Sequence, residues 1–258
     1  MNDYLHPEWQ AVFHHQNLDD FESIWDLDIP LLDTPNTSRG GISSVARLTL
    51  TGPDERQRTV IVKRQQNHNS RTLRHPLHGL PTTQKEFINI RRFERLGLET
   101  VTPVFFAGRQ ERHKVRAVLI TAYLENYQSF EEYLERCAAA PVPDFRAKRQ
   151  ALRWTANWVR RMHQAGIQHS SLYTKHLFIS THPSEVPVRG IDLEKARRQL
   201  SAGKRLTHDL SSLFRRTTYL TRTDQLRFLL FYHGPGGPLR KPAMSWHRLQ
   251  RSIARKQS

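Results

Sequence analysis

Lys63 closes the apolar run VIVK, Glu86 lies in PTTQKEFINIRRFERLGL, and Asp192 ends the run VRGID. A lysine in an apolar alternation either sits at an exposed sheet edge or carries its ammonium to an anion. Glu86 would supply that anion if its segment packs on the strand. A carboxylate at the end of an apolar strand suits a hard metal ion, and it equally suits a turn. Between them, HQAGIQHSSLYTKHLFIS (163–180) reads as a helix end, a polar turn holding His169, Ser171 and His176, and a short strand. The fourteen histidines also invite a metalloprotein reading. His14 and His15 are adjacent and His75 and His78 are three apart, but no HExxH or Cys-His array accompanies them.

The elements needed to position these residues are legible in outline. Helical apolar spacing runs through Phe13, Leu18, Phe21, Ile24 and Trp25. The loop NTSRGGISS then enters a strand, and the polar reversal GPDERQ separates it from TVIVKR. Phe87, Ile90, Phe93 and Leu96 at three-residue steps predict a helix, with Thr83 and Glu86 spaced as a capping pair. TPVFFAG and VRAVLITAYL predict two further strands. Beyond Glu125 the pattern turns helical: SFEEYLERC, then FRAKRQALRWTANWVRRMHQAG with Gly166 as its stop, the strand pair LFIS and VRGIDL, and the basic segments THDLSSLFRRT and WHRLQRSIARK. The expectation is an α+β chain with an acidic extension (1–37), a strand-rich part (38–123) and a helical part (124–258), with a cleft between the two larger parts.

Bulk properties narrow the partners. The 258 residues are 37% hydrophobic, enough for a substantial core. The formal charge is +16, and it is uneven: residues 1–37 hold eight carboxylates and no Lys or Arg, whereas residues 195–258 hold fifteen Lys plus Arg against Asp209 and Asp224. This is either a solvated basic face or the mark of an anionic partner. One cysteine, Cys137, excludes an intrachain disulfide and suits a reducing compartment. The N-terminus has no signal-peptide pattern, and no apolar run approaches the ~18 residues that span a bilayer. A cytoplasmic protein is expected, at most peripheral on the inner face of the inner membrane. In SWHRLQRSIARKQ, Trp246, Leu249 and Ile253 share one helical face, while Arg248, Arg251, Arg255 and Lys256 surround it. That pattern fits an interfacial helix on an anionic membrane, and it fits a solvated tail as well. No aromatic-interleaved or groove-reading pattern supports nucleic acid.

Taken singly these features decide little, but their order is that of the protein-kinase layout: glycine-bearing hairpin, strand Lys, helix Glu, hinge strand, long helix, His-containing loop, strand Asp. The linked segments HQAGIQH, LYTKHLFI, IDLEKARR and HDLSSL resemble the lipopolysaccharide kinase (Kdo/WaaP) family, most closely its InaA branch, over about residues 38–217. The resemblance implies a bilobal protein-kinase-like fold, with a β-rich N-lobe and an α-helical C-lobe. It further implies transfer of the ATP γ-phosphoryl group to a heptose or Kdo hydroxyl of the lipopolysaccharide inner core.

Carried across, Lys63 would contact the ATP phosphates, and Glu86, rather than Glu94, would orient it. Gly40 and Gly41 would cover the phosphates, unless they form a plain hairpin turn. Ala122 and Tyr123 would meet adenine through backbone groups. Asp192, with His176 beside it, would hold Mg²⁺, and Asp209 would brace the catalytic loop. In that loop His169 and His176 keep the outer positions of the kinase pattern, but Ser171 occupies the aspartate position. Serine is no base at neutral pH. A histidine has a suitable ordinary pKa of about 6.5, although both histidines equally read as structural. Two readings stay open: a slow or unconventional sugar kinase, and an InaA-like pseudokinase acting as a nucleotide-binding stress-response or regulatory module.

Overall fold

A computed structural model describes residues 3–37, 40–72, 75–112, 114–140, 144–234 and 240–255, with the side chains of 71, 72, 75–78 and 240–242 left aside. Ser38 and Arg39 of the glycine loop, Lys256, and the side chains of His75 and His78 therefore lie outside the described residues. The chain forms two compact units, one of residues 1–92 and 101–125, the other of residues 93–100 and 126–258.

The first unit is built on strands. β1 (Tyr4–Leu5), α1 (Gln10–His15) and α2 (Phe21–Trp25) precede β2 (Ile42–Thr51) and β3 (Gln57–Gln66). The hairpin β4 (Asn69–Thr72) and β5 (His75–Pro81) leads into α3 (Thr82–Arg95), followed by β6 (Pro103–Glu111) and β7 (Lys114–Ala122). Five strands form one sheet in the order β1-β6-β7-β3-β2, with every adjacent pair antiparallel. Strand periodicity divides its faces. Val60 and Val62 join Leu50, Val104, Phe105, Val118 and Ile120 in a core sealed by Val12, Phe13, Leu18, Phe21 and Ile24 of the N-terminal segment. The acidic N-terminal residues thus frame a core-forming element, and two of them pair with arginines of the sheet: Asp3 with Arg109 at 2.6 Å and Glu22 with Arg116 at 2.7 Å. Phe87 of α3 stacks on Phe106 with ring centroids 4.6 Å apart.

The second unit is mostly helical. β8 (Tyr127–Ser129), α4 (Phe130–Ala139) and α5 (Phe145–Gln164) lead to β9 (Ile167–Gln168), β10 (Leu177–Ser180), β11 (Val188–Gly190) and β12 (Arg197–Arg198). Three helices follow: α6 (Ala202–Arg215), α7 (Arg222–His233) and α8 (Arg240–Ala254). β10 pairs with both β8 and β11, and β12 pairs with β9. Asp144 caps α5 by accepting from the Ala147 amide at 2.8 Å, and Gly166, with φ +78°, turns the chain out of it as the sequence predicts. Leu152, Ala156, Val159 and Met162 on one stripe of α5 are buried.

The C-terminal helix differs from the interfacial reading. Leu249 is fully buried, α8 packs on α6 and α7, and Ser252 and Ser245 bond to Ser211 and His233. The centre of its apolar face is taken up by the fold, because neighbouring helices cover Leu249, while Trp246 and Ile253 are half-buried. Among the described residues no helix is long and apolar enough to cross a membrane.

Candidate nucleotide and phosphoryl-transfer site

Lys63 and Glu86 meet. β3 alternation puts Lys63 on the face opposite Val60 and Val62, and Nζ donates to Glu86 Oε1 and Oε2 of α3 at 2.7 and 2.8 Å. Glu86 is buried and Lys63 largely so. Removing either partner of such a buried pair costs about 3–5 kcal/mol, since the remaining charge is left unpaired. The expected Thr83–Glu86 capping pair does not form. Glu86 is committed to Lys63, the Thr83 hydroxyl has no partner, and the Thr83 amide is satisfied instead by Gln65 Oε1 at 2.9 Å. Gln65 lies two residues after Lys63 on the same strand face, so one strand both supplies the amine and caps the helix that holds its carboxylate.

Of the glycine loop, Gly40 and Gly41 are described. Asn36 and Ser43 exchange backbone hydrogen bonds of 2.8 and 2.9 Å on either side of it. Gly40 is left-handed at φ +73°, and a Cβ on Gly41 would stand 2.3 Å from the Asn67 carbonyl carbon. Gly41→Ala is therefore expected to destabilise the chain by about 1–3 kcal/mol through backbone overpacking, a fall in Tm of about 2–12 °C in a chain of this size. An unchanged melting curve would show that the backbones do not approach this closely. At the end of β7, the amides of Ala122 and Tyr123 donate to Thr102 O and Thr59 O at 2.9 and 3.0 Å. Only the carbonyls of these two residues can then meet a purine. A groove of about 650 Å³ in this unit, lined by Asn67, Gln84, Arg109 and Arg112 among others, includes none of these residues.

In the second unit, the loop after β9 is clamped by one buried carboxylate. Asp209 of α6 accepts from the amides of His169 (2.7 Å) and Ser170 (3.0 Å), from His163 Nε2 (3.1 Å) and from His208 Nδ1 (3.2 Å). Burial opposes its ionisation, but the hydrogen bonds from His163 and His208 outweigh burial and hold the carboxyl well below the ordinary carboxylate range. His163 passes the network on to the Tyr232 hydroxyl at 2.9 Å. His163 was legible only as the first residue of HQAGIQH, without a role, and Tyr232 escaped the sequence reading.

His169 is fully buried, its Nε2 is 3.1 Å from Ile191 O, and burial pushes its pKa down. Ser171 is also buried, and its carbonyl lies 2.8 Å from His176 Nδ1, a nitrogen that is 3.3 Å from Asp192 Oδ2 as well. With two oxygen acceptors against it, Nδ1 carries the imidazole proton and helps orient Asp192. Asp192 is left-handed, φ 58° and ψ 54°, and its side chain caps nothing. Among the described non-glycine residues of this unit, positive φ occurs only at Ser170 and Asp192. Backbone strain of this kind, of order 1–3 kcal/mol per residue, concentrates at working sites. Asp192 offers the hard oxygen donor that Mg²⁺ prefers, and His176 beside it offers a softer one. No group of three metal-ligating side chains forms among the described residues, so further ligands would come from phosphate oxygens and water.

The family model described as lipopolysaccharide kinase (Kdo/WaaP) matches residues 22–232. Protein InaA of Escherichia coli K12 is 26% identical over 215 residues, covering 83% of this chain and 96% of InaA. The lipopolysaccharide core heptose(I) kinase WaaP of the same organism is 32% identical over 178 residues, covering 66% of this chain and 65% of that kinase. The WaaP of Pseudomonas aeruginosa is 29% identical over 157 residues, 58% of each chain. The matched region thus spans about two thirds or less of the WaaP kinases. A solved structure of WaaP in complex with acyl carrier protein matches with a TM-score of 0.69 over 99% of both chains at 23% identity, and shows the kinase-like fold.

Proposed function

The chain belongs to the Kdo/WaaP lipopolysaccharide kinase family, and we propose that it transfers the γ-phosphoryl group of ATP to a heptose or Kdo hydroxyl of the lipopolysaccharide inner core, slowly, with Mg²⁺. The observation that carries this reading is the bidentate Lys63–Glu86 pair. An ammonium drawn off the sheet by a buried carboxylate is pre-aimed, and it would contact the ATP phosphates. Gly40 and Gly41 would bring backbone to those phosphates, and the Ala122 and Tyr123 carbonyls would meet adenine. Asp192, oriented by His176, would hold the metal. When bound, Mg²⁺ neutralises charge on the transferring phosphoryl oxygens.

The rate would be limited at position 171. Phosphoryl transfer passes through a loose transition state in which positioning and charge neutralisation supply most of the catalysis. Loss of a general base costs about 10²–10⁴-fold, and the burial of His169 and Ser171 argues against either taking its place. That same burial favours the second reading, a pseudokinase that binds nucleotide as a stress-response or regulatory module.

Both readings require nucleotide binding. Saturating ATP and Mg²⁺, at about 100 times Kd, should add about 2.7 kcal/mol of stability, raising Tm by about 5–10 °C. The shift should vanish in Lys63→Ala and in Asp192→Ala. A native chain whose Tm no nucleotide or metal moves would refute both readings. A shift without turnover would leave the pseudokinase.

A further inference from the structure

α5 and α7 lie side by side, fixed near their starts by Lys148 Nζ on Asp224 at 2.7 Å and near their ends by His163 on Tyr232 at 2.9 Å. α5 carries five arginines, one lysine and no carboxylate. At about 100° and 1.5 Å per residue, Arg146, Arg149, Arg153 and Arg160 fall in one stripe about 60° wide and about 21 Å long. The first three are exposed. At the head of the stripe stands Phe145, 71% exposed, and on α7 stand Leu226 and Leu230, 41% and 48% exposed. Arg222 and Arg227 of α7 are exposed as well. The starts of the two helices are joined on this side, because Phe145, Arg146, Arg149 and Arg227 line a single groove of about 520 Å³. Of the neighbouring carboxylates, Asp144 caps α5, and Asp224 is buried against Lys148 with Arg227 at 3.5 Å. The face is therefore cationic, with isolated apolar side chains standing out of it.

We propose that this α5–α7 face docks on the anionic surface of a lipid bilayer. Lipid phosphates move laterally and can settle against each guanidinium in turn, so a stripe of arginines needs no fixed array of partner charges. Phe145, Leu226 and Leu230 enter the boundary between headgroups and acyl chains, where amphipathic surfaces place such residues. An acidic protein would have to present carboxylates at the spacing of the stripe, and a nucleic acid backbone has no use for three exposed apolar side chains. The interaction is independent of phosphoryl transfer: the face can bind whether or not the chain turns over ATP.

The test is sedimentation of the full chain with phosphatidylcholine vesicles prepared with and without phosphatidylglycerol. Binding is expected only with the anionic lipid, weakening as salt screens it. Arg146→Glu, Arg149→Glu and Arg153→Glu together should lower the partition coefficient about tenfold or more. Phe145→Ser with Leu230→Ser should lower it about threefold or more at unchanged charge. Arg56→Glu, Arg112→Glu and Lys114→Glu, exposed in the other unit, make the same change in net charge and should matter far less. All positions are exposed, so an unchanged Tm certifies folding. No binding to anionic vesicles, an equal loss in the control triple, or binding to duplex RNA but not to vesicles would each overturn the proposal.

Discussion

Ser171→Asp should raise γ-phosphoryl transfer from ATP to lipopolysaccharide core by about 10²–10⁴-fold, the usual worth of a general base. The loop that would carry the new carboxylate is already shaped. Asp209 holds the amides of His169 and Ser170, and the Ser171 carbonyl is tied to His176. Two forces oppose the gain. Position 171 is buried, so an ionised carboxylate there loses solvation, and Asp192, which also contacts His176, adds a like charge. A bound divalent ion would offset the second. Ser171→Asn separates base from bulk, since it has nearly the same volume and no proton affinity at neutral pH. Rates for Asp and Asn that rise together, or not at all, would show that a missing carboxylate is not what limits transfer.

Asp209→Ala should lower Tm by about 6–20 °C. The variant strands two loop amides and two imidazoles that now share one carboxylate. Opening a buried charged network costs about 3–5 kcal/mol, and a chain of this size loses about 2–4 °C per kcal/mol. The same residue predicts the direction of the acid response. Its folded pKa is depressed, so below the unfolded value of about 3.9 the unfolded chain binds a proton that the folded chain resists. The stabilisation is whole above that pH and is lost as pH falls through the folded pKa. Melting curves between neutral pH and pH 3 should fall more steeply for the native chain than for Asp209→Asn. Parallel curves would mean that Asp209 does not titrate against this network.

The ordered set of polar residues was legible because each breaks an apolar pattern at a place where burial must be compensated. Lys63 and Glu86 are such a pair, and the α+β kinase-like fold follows from their sequence order. What local spacing suggested failed where a distant residue competed. Thr83-x-x-Glu86 has the form of a capping box, but Lys63 outbids the helix terminus for the carboxylate, and Gln65 takes over the cap. The face of α8 has the form of an interfacial helix, yet its central Leu249 is buried where α8 packs on α6 and α7. The core-forming helices α1 and α2 are legible as apolar spacing, but their carboxylates concealed that Phe13, Phe21 and Ile24 seal a sheet. α7 was passed over although Thr221 and Asp224 cap it reciprocally. β9 and β12, two residues each, leave no periodicity to read.

Transfer of labelled γ-phosphate from ATP to purified lipopolysaccharide core, compared between the native chain and Asp192→Ala in the presence of Mg²⁺, addresses the central claim most directly. Slow labelling of the inner-core sugar by the native chain, absent in the variant, is the expected result. Equal background labelling in both, with the native chain still stabilised by ATP, would contradict a phosphotransferase.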